Sequence, residues 1–188
     1  MGWAFSPHDF LDLGERPTID SALHRLAQQG QVRRIIRGIY DYPRSSDLLR
    51  RQLSPDIDQI ARALARKFRW RIQPSGASAL NILGLSAQVP ALVVYRSDGP
   101  DRNYKVGNTS LVFEHTALKE AGFRLRESGL IVQALRSLGQ ERVTPEVVTQ
   151  IRSWLPPSLR SKVLKDTQTA TGWVYATIQR IAEGEQRG

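Results

Sequence analysis

The first 44 residues constrain the fold more than any other stretch. Two short helical segments separated by a tight turn run directly into a basic hairpin, Gly30-Gln31-Val32-Arg33-Arg34-Ile35-Ile36-Arg37-Gly38-Ile39-Tyr40. Ser6 predicts an N-cap, with Pro7 at the first helical position, where its missing N–H costs nothing. A helix over 7–13 is expected, closed by Gly14, with Glu15-Arg16-Pro17 as the turn. Thr18 then caps a second helix over 19–29, and Gly30 stops it as a C′ glycine. Val32, Ile35 and Ile36 alternate loosely with Arg33, Arg34 and Arg37, Gly38 permits a tight turn, and Ile39-Tyr40-Asp41-Tyr42 returns as a second strand.

Helix, turn, helix and hairpin in that order are what a winged helix-turn-helix requires, and duplex DNA is the partner such a module implies. In the second helix Ile19, Ala22, Leu23 and Leu26 share one face by the 3.6-residue period. The opposite face offers Thr18, Ser21, His24 and Arg25 as base-reading side chains for a major groove. Arg16, Arg33, Arg34 and Arg37 are the expected phosphate ligands. The same arrangement also serves protein-interaction modules, and an arginine-rich hairpin is often a solvated sheet edge.

Charge points the same way. The 188-residue chain carries a formal net charge of +9. Arginine supplies most of it, and its planar fork suits phosphate and guanine better than lysine does. The excess is concentrated between Gln31 and Ile72, beside the expected wing. The chain has no cysteine, which excludes a disulfide framework and a thiolate metal site. No apolar run approaches the length of a membrane span, and no signal-peptide pattern opens the sequence. No membrane partner and a cytoplasmic location are expected.

Residues 45–53 read as a connector. Ser54-Pro55-Asp56 then starts a helix to about Phe68, with Ile57, Ile60, Ala61, Leu64 and Phe68 as its buried stripe. Trp70-Arg71-Ile72 reads as a short strand, and Ser75-Gly76 opens a helix through Leu83. The runs 91–96, 103–106 and 111–115, separated by Asp98-Gly99-Pro100-Asp101 and Gly107-Asn108, predict an antiparallel meander. Helical patterns follow around 131–138, 144–155, 157–166 and 171–183. The fold class is therefore α+β: a winged helix-turn-helix over 1–44, a connector over 45–53, and over 54–188 an α+β domain with a small antiparallel sheet and a helical C-terminus.

Catalytic patterns are scarce. Neither G-x-x-x-x-G-K-[ST] nor G-x-G-x-x-G occurs. Ser75-Gly76-Ala77-Ser78 reads as a capped helix start in preference to an anion site. A metal-dependent nuclease would have only Asp98, Asp101 and Glu114 to use, and Glu114 is followed by His115-Thr116 where a lysine is needed. His8 and His24 read as surface side chains, and His115 as a structural hydrogen-bonding group. No catalytic residue, metal site or cofactor is expected.

A family resemblance adds to this. Phe5-Ser6-Pro7-His8-Asp9-Phe10, Ala22-Leu23-His24-Arg25-Leu26, Gly30-Gln31-Val32-Arg33-Arg34 and Gly38-Ile39-Tyr40-Asp41-Tyr42-Pro43 resemble the N-terminal domain of AbiEi-type antitoxins. Gln73-Pro74-Ser75-Gly76-Ala77, Asn81-Ile82-Leu83-Gly84-Leu85-Ser86 and Gln88-Val89-Pro90 resemble the second domain of a short AbiEi-like branch. The resemblance implies a bacterial transcriptional autorepressor, bound to its own promoter, in a type IV toxin–antitoxin or phage-defence operon. Its functional partner would be a nucleotidyltransferase-like toxin. The family's winged domain usually has another helix before the equivalent of Phe5, whereas only Met1 to Ala4 precede it here. Without that helix, Phe10, Leu23 and Leu26 are expected to be under-packed.

The sequence thus predicts a DNA-binding regulator that acts as a dimer or as paired monomers on a repeated site. One small winged domain reads too few base pairs to find an operator alone. The helices around Trp154 and Trp173-Val174-Tyr175 could join subunits or pack within one chain. The alternatives are a protein-interaction module with a basic surface and, more remotely, a metal-dependent nuclease.

Overall fold

Two units divide the chain, Met1–Ile72 with Ala91–Thr116 and Gln73–Pro90 with Ala117–Gly188. The structure, a computed structural model, describes residues 2–46, 50–86, 90–116 and 123–183. Part of the expected connector (residues 47–49) and two residues of the second-domain motifs, Gln88 and Val89, lie outside the described residues. The first unit takes in the 1–44 segment, the described connector and part of the 54–188 segment.

In the first unit the chain enters as β1 (Ala4–Phe5) and turns through a 3-10 segment, Pro7–Phe10. The expected first helix is thus shorter than 7–13. Its start is as read: the Ser6 N–H donates to the Asp9 carboxylate at 2.8 Å, one half of a capping box. Helix α1 (Arg16–Gln28) follows, starting earlier than expected. Glu15 is the N-cap residue and Pro17 sits in the first turn, so Thr18 lies inside the helix and does not cap it. Strands β2 (Arg33–Ile36) and β3 (Ile39–Asp41) form the hairpin, and β1 pairs antiparallel with β3 on its other side. At the turn Gly38 has φ +73°, a conformation that strains any residue with a Cβ.

Phe10 and Leu26, with Ala27, pack against a cluster of Phe5, Ile19, Leu23, Val32 and Tyr40. The expected under-packing is therefore overturned. A later helix, α2 (Ile57–Phe68), lies against β1, β3 and the 3-10 segment. Arg66 fastens it there, donating to Asp9 at 2.7 Å and to the Ala4 carbonyl at 2.8 Å, with its guanidinium over the Trp3 ring. Burial pushes the Asp9 carboxyl up, but Arg66 and the Ser6 N–H outweigh it and hold the group below its ordinary value. A depressed carboxyl stabilises the fold above its unfolded pKa and loses that contribution as pH falls through the folded value.

Helix α2 is capped by Asp56, whose side chain accepts the Gln59 N–H. Ile60, Ala61, Ala63, Leu64 and Ala65 are all buried, so more than the expected single stripe is covered. Three of these are alanines, which let neighbouring backbone approach closely. Phe68, expected in the stripe, is largely exposed and stacks on Trp70 at 4.7 Å. A hairpin of two very short strands, β4 (Ser45–Ser46) and β5 (Arg51–Gln52), precedes this helix.

The second sheet of this unit departs from the expected meander. Strand β6 (Ile72–Pro74) straddles the division of the chain, and within this unit the order is β7 (Leu92–Ser97), β9 (Thr109–His115), β8 (Arg102–Val106). Strands β8 and β9 form an antiparallel hairpin, but β7 pairs with β9 in parallel. The link after β7 must therefore pass over the end of β9 to reach the far edge, and its side chains and backbone are tied to that end. Asp101 accepts the His115 N–H, His115 Nδ1 lies 2.9 Å from the Gly99 carbonyl oxygen, and Ser97 Oγ accepts the Gly99 N–H. A Cβ on Gly99 would collide with the Trp70 indole, so glycine is the residue that fits this crossover. Short local patterns signal strands and turns but carry no information on which strand inserts between two others.

The inner face of this sheet touches α2. Tyr95 donates to Asp58 at 2.6 Å, and Asp58 also accepts from Arg62 at 2.8 Å. Burial, then the Asp58 carboxylate, pushes the Tyr95 phenol far above its ordinary value, so it stays a donor. Trp70 meets Phe113 edge-on.

The second unit is helical: α3 (Gly76–Ile82), α4 (Arg126–Leu138), α5 (Pro145–Trp154), α6 (Pro157–Asp166) and α7 (Gly172–Glu183). Ser75 Oγ accepts the Ser78 N–H, the capping role read from the sequence. Asp166 accepts the Arg124 and Leu125 N–H groups ahead of α4. Ile131, Leu135, Ile151, Leu155, Val174 and Ile178 are fully buried in one core. Trp154 and Trp173 pack against that core within the chain. Among the described residues, no helix is long and apolar enough to cross a membrane.

Candidate nucleic-acid interface

Helix α1 buries Ile19 and Leu23 and leaves Thr18, Ser21, His24 and Arg25 exposed, as the periodicity predicts. Thr18, Ser21 and Arg25 fall on one face at helical spacing. With Pro17 and Ala22 they line a shallow surface depression. Ser21 Oγ donates to the Pro17 carbonyl at 2.9 Å, which leaves its oxygen lone pairs facing outward. Among the described residues Arg25 has no ion pair, so its guanidinium is available for a bidentate acceptor.

The four arginines expected to hold phosphates separate into different environments. Arg33 is a structural residue. Its Nε and Nη2 donate to the two oxygens of Asp41 at 3.0 and 2.6 Å, and its Nη1 donates to the Leu53 carbonyl at 3.0 Å. Asp41 is only 2% exposed and sits directly across the hairpin from Arg33. A buried carboxylate requires such a partner. The acidic residue in Gly38-Ile39-Tyr40-Asp41 was the sequence signal that one hairpin arginine would be consumed internally.

Arg34 and Arg37 are exposed, and among the described residues neither makes a hydrogen bond or ion pair. Adjacent residues of a strand point to opposite faces, so pairing Arg33 inward turns Arg34 outward. Arg16, at the start of α1, grips both oxygens of Asp20 within 3.0 Å, but this pair is exposed and one helical turn long. Such pairs are worth only about 0.3–0.5 kcal/mol and exchange readily for a stronger anion.

Lys67, near the end of α2, completes the group and was not anticipated. Its ammonium would lie 2.9 Å from a Cβ placed on Gly38, so it sits against the hairpin turn. Burial, then the charges of Arg16 and Arg37, push its pKa down. Nothing in the local sequence around Lys67 distinguishes it from Arg62, Arg66 or Arg69. Only the tertiary placement of α2 brings it to the hairpin.

Of the acidic residues considered for a nuclease, Asp101 and Glu114 line one shallow surface depression, and Asp98 is not part of it. Asp98 is held by the Arg71 N–H and Nε, Asp101 is tied to the His115 backbone, and Glu114 is exposed on β9. Among the described residues, no three histidine, cysteine or carboxylate side chains are grouped to hold a metal ion. The chain belongs to DUF6088, a family of unknown function whose sequence model matches residues 1–162. No curated protein matches the chain.

Proposed function

We propose that this protein is a duplex-DNA-binding transcriptional regulator that docks through a winged helix-turn-helix. In this reading the 3-10 segment and α1 are the helix-turn-helix, and β2 and β3 are the wing. One observation carries the reading: α1 exposes Thr18, Ser21, His24 and Arg25, and the hairpin exposes Arg34 and Arg37, neither of which makes a hydrogen bond or ion pair among the described residues. Like charges gathered this way cost free energy unless a polyanion neutralises them, and a polar helix face between them offers donors to base edges. Thr18, Ser21, His24 and Arg25 read bases; Arg34 and Arg37, with Arg16, hold phosphates. The resemblance to AbiEi-type antitoxins supports the further assignment as autorepressor and antitoxin of a type IV toxin–antitoxin or phage-defence operon. The partner gene would encode a nucleotidyltransferase-like toxin.

Arg25 is the residue that tests base reading. A bidentate arginine–guanine contact contributes roughly 1–3 kcal/mol of discrimination. Selection from a random duplex library should return a consensus with wild-type protein, and Arg25→Ala should flatten it at one or two positions while binding to non-cognate duplex stays within about twofold. The same consensus from both proteins would remove α1 from the groove.

A further inference from the structure

We infer that Lys67 is a phosphate ligand of the same interface, supplied by a helix outside the helix-turn-helix and wing, so that DNA docking depends on α2 being folded against the hairpin. The inference rests on the DNA-binding reading above and names a residue and an element that reading does not require. Three observations support it. The Lys67 ammonium lies against the Gly38 turn, 2.9 Å from where a Cβ on that glycine would stand. The charges of Arg16, from the start of α1, and Arg37, beside the hairpin turn, both act on it. Among the described residues no carboxylate pairs with it; the Phe68 ring lies 5.0 Å from the ammonium.

A lysine so placed is out of keeping with a purely solvated role. A long flexible side chain ordinarily swings its ammonium away from like charges into water. Here the ammonium sits against a turn where Gly38 has no side chain to displace it. A phosphate bridging Arg37 and Lys67 would relieve the repulsion of both. The backbone of a duplex offers phosphates in a regular row, which suits cations contributed at successive positions by α2 and the hairpin. Arg66, one residue earlier, is committed to Asp9 and Ala4 and fixes the helix end, so Lys67 is presented by a rigid element.

The test uses the full chain and a random-sequence duplex of about 20 base pairs, with affinity measured across a salt series. Each phosphate contact contributes roughly 0.9 to the slope of log K against log salt. Lys67→Gln should lower that slope by about one contact and weaken binding about eightfold at 0.1 M salt, as the slope gives when extrapolated from 1 M. Lys67→Arg should keep the slope. Lys162→Gln, an exposed lysine of α6 in the other unit, is the control for generic charge loss. Thermal melts of each variant confirm folding. If wild type binds with a steep slope and Lys67→Gln behaves as Lys162→Gln does, the assignment of Lys67 is wrong and the DNA-binding reading stands. If Lys67→Arg loses as much slope as Lys67→Gln, charge is not the reason and the assignment also fails. If wild type shows no salt-dependent binding, both fail together.

Discussion

Arg33→Ala should destabilise the first unit by about 2–4 kcal/mol, because it strands the Asp41 carboxylate without its bidentate partner. Removing one member of a buried pair typically costs 3–5 kcal/mol, and some of that is recovered here by solvent, since the arginine end is partly exposed. Its side chain is 28% exposed against 4% for Asp41. In thermal unfolding of the whole chain, the transition that reports this unit should fall by roughly 10–20 °C. Arg33→Ala combined with Asp41→Ala should be less damaging than the sum of the single changes, because no unpaired charge is left behind. A fall below about 3 °C for Arg33→Ala would show that the pair is dispensable and would return Arg33 to the set of free hairpin cations.

Arg34→Ala with Arg37→Ala should leave that melting transition in place and reduce DNA affinity instead. Two lost phosphate contacts correspond to a slope change of about 1.8 and to about a sixtyfold loss at 0.1 M salt. The loss should be equal on all duplexes, since phosphate contacts carry no sequence information. Comparison with Arg25→Ala separates the two roles: the hairpin pair changes affinity everywhere, and the helix residue changes preference. A sequence-dependent loss from the hairpin variant would mean that these arginines reach base edges.

The contrast between Arg33 and its neighbour shows what the sequence could and could not reveal. Helix α1, its buried Ile19 and Leu23, the Gly38 turn and the exposed set Thr18, Ser21, His24 and Arg25 were legible because helical and strand periodicities are local. The α+β class was legible for the same reason. The pairing of β7 with β9 was not, because it depends on which strand inserts between two others. The packing contributed by α2 was equally hidden. Phe10, Leu23 and Leu26 are packed by Phe5, Val32 and Tyr40, which come from the segments on either side of α1, while α2 comes after the hairpin and covers β1 and β3. Lys67 belongs to the same class: it lies far along the chain from Arg16 and Arg37 and joins them only through the packing of α2. Asp41 was visible in the sequence, but its partner was not: a regular hairpin with Ile36 opposite Ile39 would set Asp41 across from Arg34, and only the register shift between Arg34 and Ile36 brings it to Arg33.

The central claim is that the cations around α1 and the hairpin turn bind a nucleic-acid backbone. The direct test is titration of the full wild-type chain against a labelled duplex over a salt series. Arg16, Arg34 and Arg37 alone predict a linear fall of log K with log salt of slope about −2.7 or steeper. No binding at low salt, or an affinity that does not change with salt, would contradict the account and leave the basic surface to an acidic protein partner.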